Sequence, residues 1–205
     1  MNLNIKYWFF KSALPERLCD KIIKYGESKK EIFAVTGNIE KRTKENVDEV
    51  MKYRNSNVSW ISEKWLYRYI HFYTHVANEN AKWNFDLKQT EPCQFTKYKL
   101  NQYYHWHCDS LSTPCEDPKK PYLKGMIRKL SLVCSLSDPK DYTGGRFQFK
   151  LTDEKTGENY DFEVEEILPR GSIIVFPSFL YHRVKPVKQG TRYSLVAWSN
   201  GFPYK

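Results

Sequence analysis

The sequence has no long apolar run, no paired-cysteine motif, and little glycine or proline. No window approaches the roughly 20 apolar residues that a membrane-spanning helix needs, so we expect no membrane segment. The five cysteines are odd in number, scattered, and free of any Cys-x-x-Cys pair. That pattern favours reduced thiols over a disulfide framework or a structural zinc site, and indicates a cytoplasmic protein.

Aromatic residues and positive charge are abundant instead. The 205 residues include 6 Trp, 15 Tyr and 12 Phe but only 9 Gly and 10 Pro, which excludes disordered, collagen-like and fibrous classes. Lys and Arg total 33 against 24 for Asp and Glu, a formal net charge of +9. The charge suggests attraction to something anionic but identifies no partner by itself.

The chain reads as one domain, because no repeat and no flexible linker divides residues 1–205. Residues 1–90 predict helical and loop support, with a strand at 5–10, a helix from Pro15 that Gly26 can end, and a helix over 62–82 with Ser62 as N-cap. The polar stretches 33–51 and 110–124 predict exposed loops.

The second predicted helix carries two histidines four residues apart, His71 and His75. A pair at this spacing can grip a metal ion. Both lie roughly opposite the apolar face of the helix, however, and no third ligand is near in sequence. We therefore interpret them as solvated surface residues.

Short β-rich runs separated by turn signals dominate residues 91–205, the predicted catalytic core. A run of helices followed by seven or eight strands favours an α+β, mainly β fold, an antiparallel sandwich or open barrel backed by helices. The strands are predicted at 94–106, 129–136, 146–151, 160–167, 172–176, 181–186 and 192–199.

Two histidines and an aspartate form the candidate metal site. His107 and Asp109 are two apart at the end of an aromatic strand, so their side chains can converge on one ion. A His-x-Asp triplet alone is weak evidence, but His182 follows at the start of a later strand. Two histidines and one carboxylate with open positions are the ligand set of non-haem Fe(II) oxygenases. Cys108 is expected to face the other way, as a packed thiol.

A nearby strand supplies a candidate anion-binding group. Arg192 and Ser194 alternate on an otherwise apolar strand and so offer a guanidinium and a hydroxyl on one face. That chemistry suits a carboxylate in a buried pocket. Tyr98 would face away from His107 in a flat strand, and only a bulge or turn around residues 101–102 would bring its hydroxyl inward.

Residues 98–109 and 182–198, with their His-x-Asp, His182, Arg192 and Ser194, resemble the 2-oxoglutarate- and Fe(II)-dependent oxygenases of the prolyl 4-hydroxylase type. The resemblance covers roughly residues 92–202. It implies a double-stranded β-helix, or jelly roll, with N-terminal supporting helices. It also implies catalytic and binding roles for seven side chains: iron on His107, Asp109 and His182, the distal carboxylate of 2-oxoglutarate on Arg192, a supporting hydrogen bond from Tyr98, and pocket walls at Ser194 and Trp198.

The resemblance further implies the reaction. Fe(II) and 2-oxoglutarate, with O2 and with ascorbate as reductant, would hydroxylate a prolyl residue of a peptide or protein at its fourth ring carbon and release succinate and CO2. The loops at 33–51 and 110–124 would close over an extended peptide. Free proline, another amino acid or a small metabolite remain open as substrates.

A nucleic-acid-binding β-domain is the main alternative, since the chain is basic and rich in aromatic residues. The aromatic residues fall mostly at strand positions that suit a core, and no RNP, KH or zinc-knuckle pattern is present, so we do not expect a nucleic-acid partner. A metal-binding cupin without 2-oxoglutarate would leave Arg192 unexplained.

Overall fold

The computed structural model describes residues 3–34, 51–110 and 113–204. Most of the loop predicted at 33–51 therefore lies outside the described residues. The second predicted loop is described from residue 113 onward and contains a short 3-10 helix, Pro121–Leu123. No helix in these ranges is long and apolar enough to cross a membrane.

Two α-helices and fifteen β-strands lie wholly within the described ranges, and residues 51–53 are also helical. The helices are α1 (Glu16–Ser28) and α2 (Lys64–Asn80). The strands are β1 (Trp8–Phe10), β2 (Ile32–Phe33), β3 (Arg54–Asn55), β4 (Asn57–Ile61), β5 (Gln89–Thr90), β6 (Cys93–Tyr98), β7 (Tyr103–His107), β8 (Ile127–Ser135), β9 (Tyr142–Gly144), β10 (Phe147–Thr152), β11 (Asn159–Glu163), β12 (Ile173–Pro177), β13 (His182–Val184), β14 (Val187–Gly190) and β15 (Arg192–Gly201).

The strands form two main antiparallel sheets. The major sheet has the order β1-β12-β8-β15-β6-β4-β2, with β5 added beside β15, and the minor sheet has the order β11-β10-β13-β7-β3. Strands β14 and β9 form a separate pair. This is the mainly β jelly roll with N-terminal helices that the sequence predicts.

The major sheet separates two cores because its side chains alternate between faces. Leu195 and Ala197 of β15 belong to the core shared with α1 and α2, where Ile22 and Leu66 are also buried. The neighbouring positions of β15 turn toward the minor sheet, where a second core of mostly aromatic and branched residues lies. The space between the sheets therefore receives every second residue of β15.

The predicted strand at 94–106 is in fact two strands in different sheets. Strand β6 belongs to the major sheet and β7 to the minor sheet, and a turn joins them in which Gln102 N donates to Lys99 O at 2.9 Å. Asn101 has a φ of 61°, a value that asparagine tolerates better than most residues. Because the chain changes sheets here, the alternation rule that put Tyr98 opposite His107 does not apply, and the expected turn at 101–102 is confirmed.

Gly26 does not end α1, contrary to the sequence expectation, because the helix continues to Ser28. A Cβ at Gly26 would lie 2.4 Å from Cγ of the buried Phe95 ring, so the glycine allows the helix to pack closely on β6. Ser62 is likewise not the N-cap of α2. The helix begins at Lys64, with Glu63 at the N-cap position and no capping side-chain hydrogen bond.

The paired histidines of α2 agree with the surface interpretation. His71 and His75 are both exposed. In the described part of the chain they do not belong to any group of three or more potential metal ligands.

We predict that Gly26→Ala destabilises the protein although alanine favours helices. The propensity gain is about 1 kcal/mol, whereas overpacking a core costs typically 1–3 kcal/mol. The free energy of unfolding, measured by urea titration, should fall by about 1 kcal/mol. The control is Lys24→Ala on the exposed face of the same helix, which should change it little. A more stable Gly26→Ala protein would contradict the packing role.

Candidate functional site

Three potential metal ligands meet between the two sheets. The ligand atoms of His107, Asp109 and His182 all lie within 4.8 Å of one another. The two shorter separations run from His107 Nε2 to Asp109 Oδ1, 3.8 Å, and from His182 Nε2 to Asp109 Oδ2, 3.6 Å. One metal ion could contact all three groups, as the sequence predicts.

Strand pairing brings the two histidines together. In the minor sheet β13 pairs with β7 so that His182 lies directly opposite His107. Asp109 follows the end of β7, where its backbone N–H donates to Ser178 O at 2.8 Å. Residues 75 positions apart thus become neighbours through one antiparallel register.

Each histidine has its second ring nitrogen bonded to a backbone carbonyl. His107 Nδ1 lies 2.8 Å from the carbonyl oxygen of His105, and His182 Nδ1 lies 2.9 Å from that of Leu180. With its Nδ1–H donating to the carbonyl, each imidazole keeps the Nε2 lone pair for a metal. These contacts also fix the orientation of both rings.

Ser131 orients the third ligand. Its hydroxyl donates to Asp109 Oδ2 at 2.7 Å and lies 2.9 Å from Ser178 Oγ. Ser131 is fully buried on β8 of the major sheet, directly opposite Trp198 of β15. The carboxylate is therefore held from the major sheet while the histidines come from the minor sheet.

The local electrostatics favour the protonation states that a metal requires. Burial lowers the pKa of His107, and the neighbouring His182 lowers it further, so the imidazole is neutral at pH 7. Burial alone would raise the pKa of Asp109, but His182, His107, Arg128 and Trp198 together outweigh that effect and leave this pKa below its usual value. Neutral imidazole and ionised carboxylate are the ligand forms that bind metals.

A buried arginine lies in the same cavity. Arg192 is 2% exposed, its Nη1 has no hydrogen-bond partner, and its guanidinium carbon lies 5.6 Å from the centre of the Tyr98 ring. A guanidinium N–H buried without an acceptor is costly, so the arrangement calls for an acidic group from outside the protein. Gly145 leaves room for the arginine, because a Cβ there would lie 2.9 Å from Arg192 Cδ.

All seven residues that the sequence singled out line one cavity between the sheets. The cavity joins a cluster of metal-ligand atoms to an unpartnered guanidinium, and this donor set fits a divalent metal together with a dicarboxylate. The other lining residues are Gln94, Tyr104, Val133, Phe147, Val184 and Val196.

Tyr104 also lines the cavity, although the sequence did not predict it, and the strand geometry explains why. Its ring stacks on His107 with centroids 3.5 Å apart and planes 12° apart. Tyr104 and His107 are three positions apart in the sequence, so a flat strand would put their side chains on opposite faces. The register between β13 and β7 shifts between His182 and Val184, and this irregularity turns Tyr104 to the same side as His107.

Behind Trp198 lies a buried ion pair that sequence reasoning also missed. Arg128 donates to both carboxylate oxygens of Glu91 at 2.6 and 2.8 Å, and its guanidinium carbon lies 3.8 Å from the centre of the Trp198 ring. Asn200 Nδ2 also donates to Glu91 at 3.3 Å. The pair fixes the indole that forms one wall of the cavity.

Part of the chain is similar in sequence to curated proteins. A PKHD-type hydroxylase of Thermosynechococcus vestitus is 35% identical over 109 residues, 52% of this chain and 42% of that protein. A PKHD-type hydroxylase of Synechococcus sp. (strain CC9605) is 33% identical over 99 residues, 48% of this chain and 37% of that protein. The chain therefore matches less than half the length of these curated relatives.

Solved structures share the fold over nearly the whole chain. A Pseudomonas putida prolyl-4-hydroxylase superposes with a TM-score of 0.65 at 20% identity, covering 96% of this chain and 92% of that one. A viral collagen prolyl hydroxylase from Paramecium Bursaria Chlorella virus-1, solved with 2-oxoglutarate, superposes with a TM-score of 0.62 at 19% identity, covering 97% of each chain.

The sequence profile of one family covers strands β6 to β14, nearly all of β15 and the seven predicted site residues. It is the profile of the 2OG-Fe(II) oxygenase superfamily, and it matches residues 93–200. Its members use Fe(II) and 2-oxoglutarate, the metal and dicarboxylate that the donor set fits. The chain belongs to the 2OG-Fe(II) oxygenase superfamily.

Proposed function

We propose that this oxygenase hydroxylates a prolyl residue of a peptide or protein, with succinate and CO2 as co-products. The observation that carries the oxygenase chemistry is the cavity in which three metal-ligand atoms and the unpartnered Arg192 guanidinium face the same space. The prolyl substrate is supported by the relatives, among them a prolyl hydroxylase of Trichoplax adhaerens solved with a hypoxia-inducible-factor peptide fragment.

Each predicted side chain receives a role in this proposal. His107, Asp109 and His182 would hold Fe(II), whose remaining positions would be open to 2-oxoglutarate and O2. Arg192 binds the distal carboxylate of 2-oxoglutarate, with the Ser194 and Tyr98 hydroxyls beside it. Trp198 forms a wall of the pocket. When bound, the iron and co-substrate supply the oxidative decarboxylation that activates O2 for C–H hydroxylation.

The protein contributes geometry and exclusion of water. The apolar side chains of Val133, Phe147 and Val184 wall the cavity between the ligands and Arg192. Arg192, His182 and Asp109 are each less than a tenth exposed, so the charged groups act in a medium of low dielectric constant. Preorganised ligands at these positions reduce the reorganisation that the reaction would otherwise need.

The proposed reaction is tested by incubating the protein with Fe(II), 2-oxoglutarate and a proline-rich peptide in air. We expect succinate in proportion to peptide that has gained one oxygen atom, measured by mass spectrometry. His182→Ala should abolish both products, whereas His71→Ala removes an exposed histidine of α2 and should abolish neither. Succinate formed with free proline but not with the peptide would identify the substrate as a free amino acid instead. Absence of succinate with every substrate would refute the oxygenase activity.

Ser131→Ala should weaken metal binding, because Asp109 loses the hydroxyl that orients it. Loss of such a supporting contact typically costs 10–100-fold in metal affinity, and titration calorimetry with Mn(II) measures it. The matched control is Ser59→Ala. It removes another buried serine hydroxyl, bonded to Gly26 O at 2.8 Å in the supporting region, and should leave Mn(II) affinity unchanged. Equal affinities in the two variants would show that Ser131 does not position Asp109.

Gly145→Ala should weaken the binding of 2-oxoglutarate. Gly145 has a φ of 59°, and its new Cβ would push against Arg192 Cδ and lie 3.0 Å from Val187 Cγ2. A displacement near 1 Å can cost about a hundredfold, so we expect a ten- to hundredfold loss by calorimetry. The control is Gly157→Ala, which has a φ of 74° but no atom within 4 Å of the new Cβ. If both variants bind 2-oxoglutarate alike, the Arg192 assignment is wrong.

A further inference from the structure

A second arginine beside the metal centre has no assigned partner. Arg54, on the edge strand β3 of the minor sheet, is 5% exposed. Its Nε donates to Ser56 Oγ at 3.0 Å, whereas its Nη2 is buried and has no hydrogen-bond partner. Within the described ranges no carboxylate forms an ion pair with it. The seven residues predicted from sequence do not include Arg54.

Arg54 is tied to the metal centre through one aromatic ring. It lies directly opposite Tyr104 in the pairing of β3 with β7, and its guanidinium carbon is 4.3 Å from the centre of the Tyr104 ring. The other face of that ring stacks on His107. Arginine, tyrosine and histidine therefore form a stack that places the guanidinium one ring away from a metal ligand.

The charge of Arg54 is felt inside the cavity. Burial raises the pKa of Tyr98 and of Tyr104, and the charge of Arg54 offsets part of that rise. The same charge contributes to the lowered pKa of His107. Arg128 pairs with Glu91. In the proposed complex, Fe(II) and Arg192 together balance the charges of Asp109 and the dianion of 2-oxoglutarate. The charge that remains is that of Arg54.

A buried, unpaired guanidinium costs several kcal/mol unless something compensates it. Arg192 already serves the distal carboxylate of 2-oxoglutarate in the proposed function. A second buried N–H donor, one aromatic ring away from His107, is therefore available to the other molecule that must enter the site, the substrate to be hydroxylated.

We propose that Arg54 anchors the substrate, with its Nη2–H donating to an oxygen acceptor that lies next to the hydroxylated residue. The acceptor is a carboxylate or a backbone carbonyl, since both present an oxygen lone pair to a planar guanidinium. This inference rests on the proposed function and extends it to the binding of the substrate. Arg54 does not bind 2-oxoglutarate, and Ser56 holds the guanidinium in position through Nε.

The first test needs no substrate. Arg54→Met removes an uncompensated charge, so the melting temperature of the substrate-free protein should stay level or rise. The control is Arg183→Met on β13. Arg183 also lies over a ring, 4.4 Å from the Trp106 centroid, but it is bonded to Gln148 Oε1 and Asp161 Oδ2 at 2.8 and 2.9 Å. Its loss should lower the melting temperature. A comparable fall for Arg54→Met would make Arg54 a structural residue and overturn the proposal.

The second test separates co-substrate from substrate. In Arg54→Lys and Arg54→Met, calorimetric affinities for Mn(II) and for 2-oxoglutarate should equal those of the wild type. Loss of 2-oxoglutarate affinity would reassign Arg54 to the co-substrate. Loss of Mn(II) affinity would mean that it merely positions Tyr104 and His107. Either result overturns the proposal, even if no prolyl peptide is ever hydroxylated.

The third test uses an N-acetylated peptide that ends in proline and the same peptide as its C-terminal amide. The KM for an accepted peptide should rise about ten- to hundredfold in Arg54→Lys, in line with the loss of a charged hydrogen bond. Ser56→Ala should raise the KM less.

A rise in KM confined to the free acid identifies the acceptor as a carboxylate, and an equal rise for both peptides identifies a carbonyl. Unchanged KM values in all variants contradict the proposal. No turnover by the wild type refutes the prolyl substrate, and the first two tests still decide on Arg54.

Discussion

The pairing of β13 with β7 is the constraint on which the site depends. It sets His182 directly opposite His107 in the minor sheet, and Asp109 follows His107 by two residues. A shift of this register by one residue would turn one histidine to the other face of the sheet. Each imidazole is also bonded to the carbonyl oxygen two residues before it, His107 to His105 O and His182 to Leu180 O.

The major sheet supplies the rest of the site because its central strands have two different faces. On β8, Leu130 and Leu132 pack toward the helices, while Ser131 between them reaches Asp109. On β15 the same alternation sends Leu195 to the helical core and Arg192 to the cavity. The helices therefore stabilise the fold by burying the apolar face, which leaves the inner face free to carry polar groups.

The residues around the cavity carry charge that the described protein does not neutralise. Arg192 and Arg54 each keep a buried guanidinium nitrogen without an acceptor. Such groups oppose folding, and they are tolerated where a ligand completes them. Two unsatisfied donors, Arg192 over the Tyr98 ring and Arg54 over the Tyr104 ring, fit a site that must bind two molecules at once.

Much of the site could be predicted from sequence, since His107, Asp109, His182 and Arg192 occur at a recognisable spacing and follow simple strand alternation. Residues that depend on irregular geometry could not. Tyr104 reaches the cavity through a shift of register, and the turn at 101–102 moves the chain to another sheet after Tyr98.

Other features of the structure depend on contacts with residues distant in sequence. The pattern of a single sequence does not reveal such contacts either. Gly26 reads as a helix stop, although it lies within α1 as the close contact to Phe95. Ser131 and Arg54 come from strands far along the chain from the ligands they approach, so neither has a local signal.

A crystal structure with Mn(II) and 2-oxoglutarate would test the central assignment most directly. The account predicts metal bonds from Nε2 of His107, Nε2 of His182 and the Asp109 carboxylate, with the distal carboxylate of 2-oxoglutarate on Arg192. A metal bound without one of these three residues, or a distal carboxylate held away from Arg192, would contradict it.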